Sequence, residues 1–352
     1  MIHDRIRRAR VLRGLTLEVL AQRLGDISKQ GLSKFEKGES SPNSTRILQL
    51  SKALDVKPEY FFRADAVVLT PLEFRKLAKM PKYRQQQVAE QMREHLERYV
   101  ALESCFDIAD GLVQHLPPRS IPISTIEDAE VAAQHLRERL QIGSDAVAHL
   151  IDLLEEHGIK VALLDGMDDF DGACAATDDE QHVLIALNRN RPGERMRFTA
   201  AHELGHWVMA FPEGMGEADK EAACHRFAGA FLYPSDKVLL DFGLHKRSRV
   251  YAAELLNAKR RYGVSMQVAL RRLKDLQLLT DAGYSHAFID FSRNGWRSAE
   301  PEPLPAEQPR RFESLVFRGL ALDLFTPSRA AEFMQCRVDD LDPTLSRLPE
   351  AA

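Results

Sequence analysis

The sequence predicts a multidomain, mainly α fold with a small sheet near its middle. Three observations lead there. At 352 residues the chain exceeds what a single hydrophobic core usually serves. Its apolar residues recur at three- and four-residue steps over most of its length, which is the spacing of amphipathic helices. Only two short runs rich in Val, Leu and Ile, residues 159–164 and 182–187, read as strands.

The first 63 residues predict five short helices. Ile6, Arg10 and Leu12 begin the pattern and Gly14 stops it. Thr16 caps a second helix carrying Leu17, Leu20, Ala21 and Leu24, and Gly25 closes it. Ser28 caps a third with Leu32 and Phe35 inward, ended by Gly38; Ser44 or Thr45 opens a fourth with Ile47, Leu50 and Leu54; Pro58 opens a last turn through Tyr60, Phe61 and Phe62. A short helix is expected over 71–81. A long one follows, whose seam of Val88, Met92, Leu96, Tyr99, Leu102 and Phe106 could pack within the chain or pair with its copy in a homodimer. Pro117, Pro118 and Pro122 mark a boundary. Helices follow over 126–140 and 144–157, the second capped by Ser144. The two strands come next, joined by a Gly/Asp-rich connection over 165–180, and then helices over 194–209, 219–232, 236–240, 247–262 and 265–276. Residues 296–309, rich in Pro and Glu, read as a linker before helices over 312–323 and 328–334. The expected domains are 1–66, a helical linker 67–120, 121–285, and a helical interaction region 286–352.

Bulk properties narrow the class. Apolar residues at 44% and charged residues at 28% are ordinary for a soluble globular protein. No uninterrupted apolar run reaches membrane-spanning length, and the charged N-terminus lacks the apolar stretch of a signal peptide, so the expected location is the cytoplasm without a membrane partner. Cys105, Cys174, Cys224 and Cys336 form no close pair, which excludes a disulfide framework or a cysteine-rich zinc site. The net charge of −4 hides a basic end: residues 1–66 hold 13 Lys and Arg against 8 Asp and Glu, leaving −9 for the rest. Such a balance suits a phosphate-binding module.

A helix ending in a glycine turn, followed by a short helix with a polar, positive start, is a helix-turn-helix pattern. Entry of the second helix into a major groove of double-stranded DNA places Ser28, Lys29, Gln30, Ser33 and Lys34 to reach bases and phosphates. Along its whole length this segment resembles the XRE/Cro-type helix-turn-helix family, through LAQRLG, SKFEKGESSPN and LSKALDV. One place departs: Leu17 stands where the family often has a phosphate-contacting Gln.

Residues 202–206 read His-Glu-Leu-Gly-His. On a helix, i and i+4 share a face, so His202 and His206 can both turn an imidazole toward one ion. Two imidazoles and a carboxylate, with water in the fourth position, suit Zn2+, with Mn2+ as an alternative occupant. Glu203 can take the proton of the activated water and pass it to a leaving amine. Spacing leaves the third ligand open among Glu217, Asp219, Glu221 and His225, with Glu221 and His225 on one face and the first two suited to capping the helix start. The strand over 182–187 is expected at a sheet edge, where an extended peptide could add. Cys224, beside His225, is expected to be a small core residue pointing elsewhere.

RFTAAHELGHW followed by EAACHRFAGAFLYP resembles the ImmA/IrrE family of metallopeptidases, whose second helix has the form E-x-E-A-N-x-F-A-x-x-L-L-M-P; DGACAA, VLIALN and VSMQVALRRLKDLQLL also match. The resemblance covers about 145–285. It implies an α+β zincin-like domain with Glu221 as third ligand, His202 and His206 as the others, and Glu203 as general acid/base. Ala223, His225 and Tyr233 depart from the pattern. His225 and Tyr233 are candidates for supporting a ligand or a developing oxyanion, and His225 also for competing as a ligand. Together the two resemblances imply a transcriptional regulator that cleaves a repressor-type protein, or itself, under stress. The alternative is a non-proteolytic DNA-binding regulator whose peptidase-like domain senses zinc or a small ligand.

Overall fold

A computed structural model describes residues 1–63, 67–71, 80–106, 115–165 and 169–345. The helix expected over 71–81 falls largely on residues outside that set. The chain is multidomain and mainly α, and it divides into two compact units: 1–104 with 175–181, and 105–174 with 182–352. No helix among the described residues is long and apolar enough to cross a membrane.

In the first unit, helices α1 (Ile2–Leu12), α2 (Leu17–Leu24), α3 (Lys29–Glu36) and α4 (Ser44–Leu54) are followed by a 3-10 turn, Pro58–Phe62. Their boundaries follow from side-chain chemistry. The Thr16 and Ser28 hydroxyls accept N–H groups from Val19 and Gly31, both at 3.2 Å, satisfying donors that a helix start leaves unpaired. Asn43, rather than Ser44 or Thr45, caps α4 by accepting from the Arg46 N–H at 2.8 Å. Gly25 ends α2 at φ 78°, in the left-handed region that favours glycine. Ile6, Ala9, Leu20, Leu32, Leu50, Leu54, Tyr60 and Phe61 form the core, while Phe62 is exposed.

Strand β1 (Leu69–Pro71) and the long helix α5 (Lys82–Glu103) belong to this unit too. Arg5 and Arg8 of α1 each donate to Glu97 at 2.7 Å, and Arg8 donates to Glu90 at 3.0 Å. With Arg5 and Glu97 buried, these pairs fix α5 on α1. The seam from Val88 to Leu102 is buried within the chain.

The second unit contains β2 (Ile121–Pro122), α6 (Asp128–Arg139), α7 (Leu150–Glu156), β3 (Ile159–Leu164), the first half of β4 (Gly172–Thr177) and β5 (Val183–Asn188). It continues with α8 (Gly193–Val208), β6 (Met209–Ala210), α9 (Glu217–Leu232), α10 (Ser235–Phe242), α11 (Ala252–Tyr262), α12 (Met266–Asp275) and α13 (Asp281–Arg293), and ends with α14 (Arg311–Ala321), α15 (Pro327–Met334) and α16 (Val338–Leu345). Ser144 caps no helix, since α7 starts at Leu150. Strands β3 and β5 pair in parallel, from Ile159 opposite Val183 to Leu164 opposite Asn188. The second half of β4 belongs to the first unit, where Ala175–Thr177 pairs antiparallel with β1.

Two expectations change. Strand β5 is not an edge: β3 lies on one side and β4 on the other, and all six of its residues are buried. Its unbroken apolar run is what a strand covered on both faces requires. Residues 296–309 are not a free linker either. Glu300 and Glu194 share the buried Lys259 ammonium, at 3.1 and 2.7 Å, and Glu300 also accepts the Met266 and Gln267 N–H groups. Glu302 pairs with Arg260, and Glu307 with Arg197 and the Ile151 N–H. The segment is an ordered strap held by carboxylates.

Candidate metal centre

Helix α8 is fixed at both ends before it offers any ligand. Near its start, Glu194 accepts from Lys259 and from the Leu304 N–H, and Arg197 donates to the Val147 carbonyl at 2.6 Å. At its end, the indole of Trp207 donates to the Leu116 carbonyl at 2.9 Å, and the Arg119 N–H donates to the Trp207 carbonyl at 2.7 Å. Strand β6 then pairs with β2. Helix α9 lies between α6 and α8. Gly205 permits the α8–α9 approach, since a Cβ there would sit 3.0 Å from the Phe227 ring.

This packing brings three donor groups together. His202 Nε2 and His206 Nε2 are 3.0 Å apart, and the Glu221 carboxylate lies 3.3 Å from the first and 3.2 Å from the second. An ion with bonds of about 2.05 Å to tetrahedral ligands holds their atoms about 3.3 Å apart, which is close to the separation of the two imidazoles and to the approach of each to its own oxygen of Glu221, Oε2 for His202 and Oε1 for His206, so the donor set suits zinc. Both histidines are buried and Glu221 is 30% exposed, leaving its side of the site open to solvent. Glu203 is buried at 1% exposure.

The other sequence-predicted residues divide. Glu217 and Asp219 stand in the first turn of α9, and Glu217 pairs with Lys220 at 3.0 Å. His225 is exposed; its ring centroid lies 4.5 Å from that of His202, and it stacks on Phe198. A ligand atom of His225 also lies within 4.8 Å of those of His202 and Glu221. Tyr233 is not brought to the site. It follows Glu221 by a span that rises about 18 Å along a helix, and its hydroxyl donates to Asp241 at 2.7 Å. Desolvation, then that hydrogen bond, hold its proton on far above the ordinary phenol range.

Cys224 is the small core residue that the sequence predicts, but it does not point away from the histidines. It is fully buried, and its Sγ and ligand atoms of His202 and His206 all lie within 4.8 Å of one another. The signal was its i+3 relation to Glu221, which puts both on one helix face.

In the first unit, Ser28, Lys29, Gln30 and Lys34 stand exposed at the cap and along α3, with Ser33 half-buried. Leu32, fully buried, holds the opposite face.

Comparison with known proteins agrees with this division. Residues 6–61 match the helix-turn-helix family model, and residues 154–274 match the IrrE N-terminal-like domain. The class is thus a DNA-binding regulator with a metallopeptidase-family domain. The chain joins an XRE-type helix-turn-helix module to an ImmA/IrrE-like domain. Among solved structures, the chain is similar to ComR from S. thermophilus in complex with DNA and its signalling peptide ComS, at 13% identity over 98% of this chain and 100% of that one. The TM-score of 0.19 is too low for that likeness to carry any argument. No curated protein matches the chain.

Proposed function

We propose that the second unit is a zinc-dependent endopeptidase in a DNA-binding regulator, and that it cuts a repressor-type protein, or this chain itself, in response to stress. The observation that carries the reading is the convergence of the His202 and His206 Nε2 atoms, 3.0 Å apart, with the Glu221 carboxylate, whose oxygens approach them at 3.3 and 3.2 Å. When bound, zinc supplies a Lewis acid for the scissile carbonyl and lowers the pKa of water, and Mn2+ could serve in its place.

The chain's own residues do the rest. The two imidazoles and the Glu221 carboxylate hold the ion, and the anchoring of α8 at Glu194, Arg197 and Trp207 keeps the imidazoles from splaying. Glu203, one residue after His202 and buried, takes the proton of the attacking water on its carboxylate and returns it to the departing amine. The exposed start of α3 carries the module to double-stranded DNA, with Gln30 and Lys29 facing bases and Lys34 a phosphate.

The test compares wild type with Glu203→Gln on candidate XRE-type repressors and on the chain itself, with metal content measured in both. Hydrolysis that falls about 10²- to 10⁴-fold in the variant at unchanged metal content supports the reading. A zinc-loaded wild type that cuts nothing, while its DNA affinity changes with zinc, refutes it in favour of a sensor.

A further inference from the structure

We infer that Cys224 is a fourth protein ligand of the metal centre, able to close the coordination position that hydrolysis needs open. The inference rests on the reading of His202, His206 and Glu221 as a metal site. It goes beyond it, because a hydrolytic site needs no ligand there.

Three observations carry it. Cys224 Sγ and ligand atoms of the two histidines lie within 4.8 Å of one another, and all three residues are buried. A tetrahedral ion with bonds of about 2.3 Å to sulfur and 2.05 Å to nitrogen separates those atoms by about 3.6 Å, so closing the set takes a shift of an ångström or so. Cys224 also follows Glu221 by three residues on α9, the spacing of neighbours along one helix surface, so both proposed ligands come from the same helix.

The donor types agree with this placement. A thiolate and two imidazoles are all good zinc ligands, and the thiol proton leaves to solvent when the metal arrives. With four protein ligands zinc is saturated, as in structural sites. With Cys224 displaced, the remaining three leave the open position of a catalytic site. A closed and an open form of one centre would let a regulator hold zinc without cutting its own partners. The opening event is then displacement of the sulfur by an incoming peptide carbonyl that competes for the same position, with the released thiolate taking up a proton from solvent.

The experiment uses the full-length chain loaded with Co2+ in place of zinc. Visible d–d bands report that cobalt is bound, and a near-ultraviolet thiolate-to-cobalt charge-transfer band reports sulfur ligation. Wild type is expected to show both. Cys224→Ser, close in size, is expected to keep the d–d bands and lose the charge-transfer band, while Cys174→Ala keeps both, since Cys174 lies on β4. Should Cys224→Ser fail to fold, Cys224→Ala is read the same way, and the wild-type spectrum stands by itself. Bound cobalt without a charge-transfer band in wild type overturns the inference and leaves the metal site standing. A band that survives Cys224→Ser overturns it as well. If no cobalt binds at all, the metal reading falls and takes this inference with it.

Discussion

Removing the Glu221 carboxylate tests the geometry of the metal centre without reference to any substrate. Four-ligand zinc sites bind with roughly 10–16 kcal/mol, or about 3 kcal/mol per ligand, so Glu221→Ala is expected to weaken zinc about 150-fold. Binding to the folded state raises stability by mass action. At free zinc of 100 times the wild-type Kd the gain is about 2.7 kcal/mol, and for the variant at the same zinc it drops to about 0.3 kcal/mol. For a unit of this size each kcal/mol moves Tm by about 2–4 °C, so zinc should raise the wild-type Tm by roughly 5–11 °C and the variant's by about 1 °C. The assay is thermal unfolding with and without a zinc buffer, beside metal analysis of the dialysed protein. Glu217→Ala is the control, because Glu217 lies on the same helix but pairs with Lys220. If Glu221→Ala keeps the full zinc-dependent shift, or if Glu217→Ala loses it, the ligand assignment is wrong.

Other outcomes follow from the same structure. Gln30→Ala should weaken binding to a specific operator roughly 5- to 150-fold with little effect on random DNA, whereas Lys34→Ala should weaken both alike and lower the salt slope by about 1, as read from binding at several ionic strengths. Lys259→Met leaves the buried Glu194 and Glu300 carboxylates without their shared cation and should cost about 3–5 kcal/mol in urea unfolding. Glu94 is buried, and desolvation outweighs Arg63 in raising its pKa. Its folded form therefore holds a proton more tightly than the unfolded chain does, so its contribution to stability declines as pH rises from about 4 through the raised value. Glu94→Gln should flatten that part of the stability–pH curve, and an unchanged slope would show that Glu94 is not its source.

What could be read from the sequence was what is determined locally. Thr16, Ser28 and Gly25 act on their own helix ends within a few residues, so the first unit's helices were predictable from order alone. The histidine pair was legible for the same reason, because i and i+4 share a face in any α-helix. Glu221 was only half legible: spacing left it beside His225, and choosing between them required the resemblance, since the crossing of α8 and α9 is not written in either helix by itself. The strap over 296–309 misled because proline and glutamate read as solvent-loving chain. Its partners Lys259, Glu194 and Arg197 lie 41 to 110 residues away, and no local pattern announces a buried carboxylate whose cation comes from another helix.

Cys224 makes the same argument at the functional site. A small, weakly polar side chain beside a histidine is indistinguishable in sequence from a core residue, and burial alone supports that reading. What changes its meaning is the close approach of α9 to α8 over Gly205, together with the placing of the buried sulfur within 4.8 Å of ligand atoms of two imidazoles. Helix α9 thus carries both the proposed carboxylate ligand, Glu221, and the proposed fourth donor, Cys224. On the proposal above, three protein donors would leave a position open for hydrolysis and four would close it, so the cobalt spectrum of Cys224→Ser bears on the choice between cutting and sensing as well as on the ligand set.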